Sequence, residues 1–340
     1  MPGVSASHHS GTSGTIPLTS ETTGGRLDYL RVSITDRCNL RCIYCMPPEG
    51  LASAPHESIL SYEEICKLVS LGVECGIRKV RITGGEPLVR RDVVGLIGSL
   101  RKITGLEEIS VTTNGVCVSD FAAELKKAGV GRINISLDTL DREKFKRITR
   151  RDDLASVLKG IGAVLGLGFE PVKINVVVMR GLNEKEIVQF GRLSIDRPLH
   201  VRFIEYMTLG GAEQWGDGLF FPAQAVKKRL ETLGQLNPVG RVRGNGPARY
   251  FSYPNALGTV GLISPFSAGF CERCNRLRVT ADGGLRPCLL SDDEIDVKGA
   301  LRSGAPNEAI ENLFRQAAAK KTFRHHLPWG NHRYMRSIGG

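Results

Sequence analysis

Leu30-Arg31-Val32-Ser33-Ile34-Thr35-Asp36-Arg37-Cys38-Asn39-Leu40-Arg41-Cys42-Ile43-Tyr44-Cys45 is a β-branched apolar run that breaks into a polar loop with three cysteines spaced CxxxCxxC. The run predicts a strand, and the loop after it sets three thiols where they can converge on one site. Four thiolates close a tetrahedral zinc or an electron-transfer cluster, whereas three on a four-iron cube leave one iron open to a substrate. A structural zinc knuckle would need a fourth ligand, and none is obvious nearby.

The same succession of strand, polar loop and helix recurs downstream. Strands are predicted at 30–34, 79–83, 109–113, 132–137, 172–179 and 201–207, with helices at 61–74, 92–100, 119–128, 154–165 and 184–193 between them. Ser61 with Glu64 three residues on forms a capping-box signature ahead of Ile65, Leu68 and Val69. Strict alternation implies parallel strands, hence an open sheet or a barrel, and six units fall short of eight. The fold class expected is α/β, an incomplete (βα)6 TIM-type barrel with a C-terminal extension. Polar and glycine-rich residues gather just after the strands, at 35–45, Gly84-Gly85-Glu86-Pro87, Asn114-Gly115, Ser136 with Asp138, and 205–207. That rim is where barrel enzymes place their chemistry.

Length and composition set the outer bounds. The chain has 340 residues, 41% hydrophobic and 24% charged, which suits about two domains and excludes bulk disorder. No membrane-spanning or secretory segment is evident, so a cytoplasmic protein is expected. Fifteen of the first 25 residues are Ser, Thr or Gly, and residues 1–25 are expected to be a disordered tail, 26–210 the partial barrel and 211–340 a distinct C-terminal region. The net charge of +11 favours anionic ligands without choosing among them.

Nine cysteines in a chain without a leader suggest metal rather than disulfides. A second group, Cys271, Cys274 and Cys288, again offers three thiolates and an open iron. Cys66, Cys75 and Cys117 are scattered and read as small buried hydrophobes. Beside the second group, Arg276 and Arg278 share one face of an extended segment, and adjacent guanidiniums suit a triphosphate. Arg31 and Arg81 lie inside apolar strands and must point at something polar. Arg324-His325-His326 and His332 sit in a basic tail and read as solvated or structural.

The CxxxCxxC loop with Tyr44 before its last cysteine, together with Gly84-Gly85-Glu86-Pro87, resembles the radical S-adenosylmethionine enzymes. Over residues 26–340 the chain further resembles one family among them, the GTP 3′,8-cyclases of molybdenum-cofactor biosynthesis. The stretches that carry this are 30–38, 81–87, 112–115, 202–207, the second cysteine group and the terminal Gly339-Gly340. The resemblance implies two [4Fe-4S] clusters, held by Cys38, Cys42 and Cys45 and by Cys271, Cys274 and Cys288. It implies S-adenosylmethionine contacts at Tyr44, Gly85, Ser136 and Met207, and GTP contacts at Arg31, Arg81, Thr112, Lys173, Arg276 and Arg278. An adenosyl radical would take hydrogen from the ribose 3′ position, and the sugar radical would close on C8 of the guanine. Gly339 and Gly340 would reach into the active site and join Arg276 and Arg278 in catalysis. A homodimer and hand-off of product to cyclic pyranopterin monophosphate synthase are also implied, while the electron donor is not legible.

Two other readings compete. A peptide-modifying radical enzyme with auxiliary clusters usually carries more C-terminal cysteines than these three. A nucleic-acid-binding protein with structural zinc would interleave basic residues with aromatics, and aromatics are only 6% of this chain.

Overall fold

The computed structural model describes residues 17–19, 25–207, 217–240, 242, 246–267, 274–321 and 333–339. Strands and helices alternate first as β1 (Tyr29–Ser33), α1 (Tyr62–Glu74), β2 (Lys79–Thr83), α2 (Val93–Arg101), β3 (Glu108–Thr113), α3 (Val118–Lys127) and β4 (Arg132–Ser136). Then follow α4 (Arg142–Thr149), α5 (Leu154–Gly166), β5 (Val172–Val178), α6 (Ile187–Asp196) and β6 (Leu199–Glu205). Each of these strands pairs in parallel with the next, as helical crossovers require. The capping box at α1 is present: the Glu64 amide donates to Ser61 Oγ at 3.2 Å, and the Ser61 amide donates to Glu64 Oε2 at 2.7 Å.

The later residues form α7 (Ala223–Leu230), β7 (Asn237–Val239), β8 (Arg249–Ser252), β9 (Thr259–Ile263), β10 (Arg276–Val279), β11 (Gly284–Arg286), β12 (Ile295–Asp296), α8 (Val297–Arg302), α9 (Asn307–Ala319) and α10 (Met335–Ile338). Their strands extend the first sheet instead of building a second. β9 lies parallel to β6 and β10 parallel to β1, so the parallel core gains a strand at each edge. Among the described residues the order is β12-β11-β10-β1-β2-β3-β4-β5-β6-β9-β8-β7, an open sheet consistent with a partial TIM-type barrel.

Alternation along the strands decides what each face meets. Leu30, Val32, Val80, Ile82, Ile109, Val111, Ile133 and Ile135 belong to the buried apolar core. The other rows are polar: in register, Arg278, Arg31, Arg81, Ser110 and Arg132 follow one another across five strands. Thr112, Asn134, Lys173 and His200 form a second such row. Most barrels fill their interior with branched apolar side chains; this one lines it with hydrogen-bonding and cationic groups.

Two features depart from expectation. Leu18, inside the expected N-terminal tail, is 2% exposed, and its amide donates to Cys75 O at 3.1 Å. Leu18 is therefore packed between exposed neighbours, because it joins the same apolar core as Leu27. The crossover from β4 to β5 holds two helices where one was expected. The extra one, α4, buries only Phe145, Ile148 and Thr149, two of them apolar, among charged residues, and Asp141 caps it by accepting from the Lys144 amide at 2.9 Å.

Candidate active site

The cysteine loop follows β1 at the C-terminal rim, and neighbouring chain holds it on three sides. The Arg41 amide donates to Thr149 O and the Ile43 amide to Ile148 O, both at 2.9 Å, so the end of α4 grips the loop. Arg150, in the left-handed region at φ 57°, donates through Nη1 to Arg41 O at 2.9 Å and Met46 O at 3.0 Å. On the other side the Gly85 amide donates to Thr35 O at 2.7 Å and the Glu86 amide to Arg37 O at 2.8 Å. A Cβ at Gly85 would stand 2.3 Å from the Arg37 carbonyl oxygen. The glycine turn thus answers first to the close approach of two backbones.

Glu86 is buried and ties the next strand to this assembly. Its carboxylate accepts from the Thr113 hydroxyl at 2.8 Å and the amides of Asn114 and Leu88 at 2.6 and 3.0 Å. Asn114 Nδ2 in turn donates to Asn39 Oδ1 at 2.7 Å and approaches Cys38 Sγ at 3.8 Å. Burial pushes the Glu86 carboxyl up to about 7 despite these bonds.

Burial also raises all three thiols, Cys38 to about 11 and Cys42 and Cys45 well above the ordinary range, and the charges of neighbouring cysteines push Cys42 and Cys45 further. No disulfide joins them. Among the described residues no three His, Cys, Asp or Glu side chains form a single-ion site. Thiols that oppose one another's ionisation fit a cationic iron cluster, whose charge would let all three bind as thiolates.

One cleft collects most of the expected residues. Cys38, Cys42, Tyr44, Cys45, Gly85, Ser136 and Met207 line it together with Arg31, Arg81, Thr112, Arg276 and Arg278. Lys173 does not line it but lies beneath, almost fully buried, where burial and the charges of Arg202, Arg132 and Arg81 bring it down to about 5. Cys274 and Cys288 also lie off the cleft lining. Burial opposes ionisation of Cys274, but the charges of Arg276 and Lys321 and bonding to Arg276 outweigh it and lower the thiol to about 6. Cys271, Gly340 and the residues Arg324, His325, His326 and His332 fall outside the described residues. Gly339 is described, and its carbonyl accepts from Arg278 Nη1 at 2.9 Å.

Sequence reasoning missed Arg202 and Arg336 as lining residues, and placed Asp138 on the rim without giving it a role. Arg202 interrupts the apolar strand β6 at an inward position, the same signal that picked out Arg31 and Arg81. Asp138 follows Ser136 by two residues; it accepts from Tyr44 OH at 2.5 Å and the Val177 amide at 2.8 Å, and burial raises it to about 6. Arg336 sits in a basic tail with no pattern around it.

Comparison with known proteins agrees with this layout. Residues 32–193 match the Radical SAM superfamily, and 199–327 match the family described as Molybdenum Cofactor Synthesis C. The chain is 49% identical to a GTP 3′,8-cyclase of Moorella thermoacetica over 93% of its own length and 98% of that protein's. It is 50% identical to the GTP 3′,8-cyclase of Petrotoga mobilis, with 89% and 94% covered. Among solved structures, Streptococcus suis SuiB bound to S-adenosylmethionine superposes with a TM-score of 0.59 at 14% identity, covering 88% of this chain and 68% of that one. A second, anSMEcpe with bound AdoMet, gives 0.51 at 16% identity, covering 84% and 80%. These two share the fold, while the close relatives name the chemistry: the chain belongs to the GTP 3′,8-cyclase family of radical S-adenosylmethionine enzymes.

Proposed function

We propose that this protein converts GTP to its 3′,8-cyclised dihydro triphosphate, the entry step of molybdenum-cofactor synthesis, in the cleft at the C-terminal rim. The observation that carries the reading is the charge of the lining: six arginines, Arg31, Arg81, Arg202, Arg276, Arg278 and Arg336, against one carboxylate, Asp138. Guanidiniums gathered around a cavity recognise phosphates by paired, charge-assisted hydrogen bonds. A peptide substrate would give no reason for such an excess.

Cys38, Cys42 and Cys45 would hold one [4Fe-4S] cluster, with Gly85, Tyr44, Ser136 and Met207 around S-adenosylmethionine. When bound, these groups supply the adenosyl radical that removes hydrogen from the ribose 3′ carbon. The arginines fix the triphosphate so that the ribose is presented in one orientation. Backbone hydrogen bonds to α4 and the 84–87 turn hold the thiol loop in place at the cleft wall. Cys271, Cys274 and Cys288 would hold a second cluster on the GTP side, where the Arg276 and Lys321 charges already favour a thiolate at Cys274. The division expected near residue 210 is then not a clean one of role: the cofactor residues precede it, but the arginines proposed for GTP lie on both sides, Arg31, Arg81 and Arg202 before it and Arg276 and Arg278 after it. A homodimer and transfer of product to cyclic pyranopterin monophosphate synthase complete the proposal, checked by light scattering and by co-purification.

The deciding test is anaerobic incubation of the reconstituted protein with reductant, S-adenosylmethionine and GTP deuterated at ribose C3′. Deuterium in the released 5′-deoxyadenosine is the expected result. Release of undeuterated 5′-deoxyadenosine would overturn GTP cyclisation and leave another radical substrate.

A further inference from the structure

The last described residues, 333–339, return to the sheet through a defined set of ionic contacts. Arg333 Nη1 donates to both carboxylate oxygens of Glu294, at 2.8 and 2.7 Å, and its Nη2 donates to Asp282. Glu294 is shared: its Oε2 also accepts from Arg286 Nη1 at 2.8 Å. Arg286 is almost fully buried on β11, stands in register with Arg278 on β10, and donates through Nη2 to Ser291 O. Ser291 belongs to the same short loop as Cys288.

Beyond Arg333 the chain makes the single turn α10. Arg336 Nη2 donates to Ala52 O at 2.7 Å, Ile338 is buried, and Gly339 O accepts from Arg278. A Cβ at Gly339 would lie 2.5 Å from Thr83 Oγ1, so the chain end fits closely. A four-residue helix cannot hold its own position, and fit at the tip requires an anchor that sets how far the tail reaches. Arg333 supplies the forked, charge-assisted contact suited to that task.

We propose that Arg333 is the positioning residue that seats the C-terminal tail against Arg278, and that Glu294 couples this seating to the loop carrying Cys288. Glu294 does so because one carboxylate serves two guanidiniums, one on the tail and one braced against the loop. The kinetic arm of the test rests on reading Arg278 as a GTP contact; the structural arm does not.

The test is hydrogen exchange by mass spectrometry on the full-length protein without substrate, followed by steady-state kinetics. Arg333→Gln is expected to speed exchange of amides 335–339 roughly two- to fivefold, the scale of a partly exposed ionic contact, with strands β1–β6 unchanged. Arg333→Lys should recover this only in part, since lysine lacks the fork. Glu294→Gln should loosen both 335–339 and 287–293, and the double variant should add little to it. Lys227→Gln, which removes an exposed pair with Glu231 at 2.7 Å on α7, should leave the tail as it was. In kinetics, Arg333→Gln should lower kcat with the KM for S-adenosylmethionine unchanged. Wild-type exchange of the tail in Arg333→Gln, or equal acceleration in Lys227→Gln, overturns the seating. Acceleration of the tail without the 287–293 loop in Glu294→Gln overturns the coupling.

Discussion

Gly85 and Glu86 sit side by side and answer to different physics. At Gly85 the constraint is space. A methyl group would meet the Arg37 carbonyl at 2.3 Å, so Gly85→Ala must push the cysteine loop away, at a cost of about 1–3 kcal/mol. The expected outcome is a lower denaturation midpoint together with reduced iron content after reconstitution; iron content and midpoint equal to wild type would remove the packing argument. At Glu86 the constraint is charge. Its carboxyl is raised from 4.5 to about 7 by burial, so the folded state holds its proton more tightly than the unfolded chain. The resulting stability is fully present below pH 4.5 and is lost as pH rises through about 7. This amounts to about 3 kcal/mol over the window. Glu86→Gln should flatten this part of the stability profile, read as the difference between variant and wild-type denaturation midpoints in the apoprotein from pH 4.5 to 8. Parallel profiles for the two proteins would show that the carboxyl titrates normally.

At the scale of elements, α4 acts as a clamp. Its last carbonyls accept from Arg41 and Ile43, and Arg150 closes the helix in a left-handed conformation while donating to Arg41 O within the CxxxCxxC loop and to Met46 O just past it. Arg150→Ala keeps the unfavourable backbone angle and removes both side-chain bonds, so a destabilisation of about 1–2 kcal/mol is expected. Arg150→Gly removes the bonds but relieves the angle and should be the milder of the two. Chemical denaturation of the pair decides this: an Ala variant as stable as the Gly variant would mean that the angle carries no strain. The helix escaped sequence reading because its apolar content is two residues, Phe145 and Ile148, too few to show a period. Asp141 caps it in the structure, but a single Asp with no apolar stripe after it does not mark a helix.

Across the whole molecule, the strands combine into a cationic interior that no one of them possesses. Arg31, Arg81, Arg132, Arg202, Arg276, Arg278 and Lys173 come from six strands of one sheet, and burial, followed by the charges of Arg202, Arg132 and Arg81, lowers Lys173 to about 5. Burial and these charges favour the uncharged amine at Lys173 until an anion arrives. Binding of a triphosphate should raise its value and draw in a proton, so affinity for GTP should fall as pH rises above neutrality. Titration calorimetry in buffers of different ionisation enthalpy measures the uptake; none at pH 7.5, or the same uptake in Lys173→Met, would show that the lysine is already charged or plays no part. The same field predicts weaker GTP binding at high ionic strength, though less so than at an open surface because the charges are screened poorly inside the cleft.

The local elements were legible because they depend on near neighbours in the chain. The CxxxCxxC spacing, the Ser61–Glu64 capping box and the six strand–helix units are each written within a few residues of one another, and periodicity reports them. Arg31 and Arg81 could be singled out as cations misplaced in apolar strands and Arg278 as one of two guanidiniums on an extended segment, but not the three as one row, since register across β10, β1 and β2 is set by side chains distant in sequence. The same holds for β9 and β10. Their residues looked like a separate glycine-rich region, and only the unsatisfied edges of β1 and β6 determine that they complete the first sheet. Lys173 shows the limit most plainly: its type and strand are in the sequence, but the lowering of its amine comes first from burial and then from arginines on other strands, both supplied by the fold.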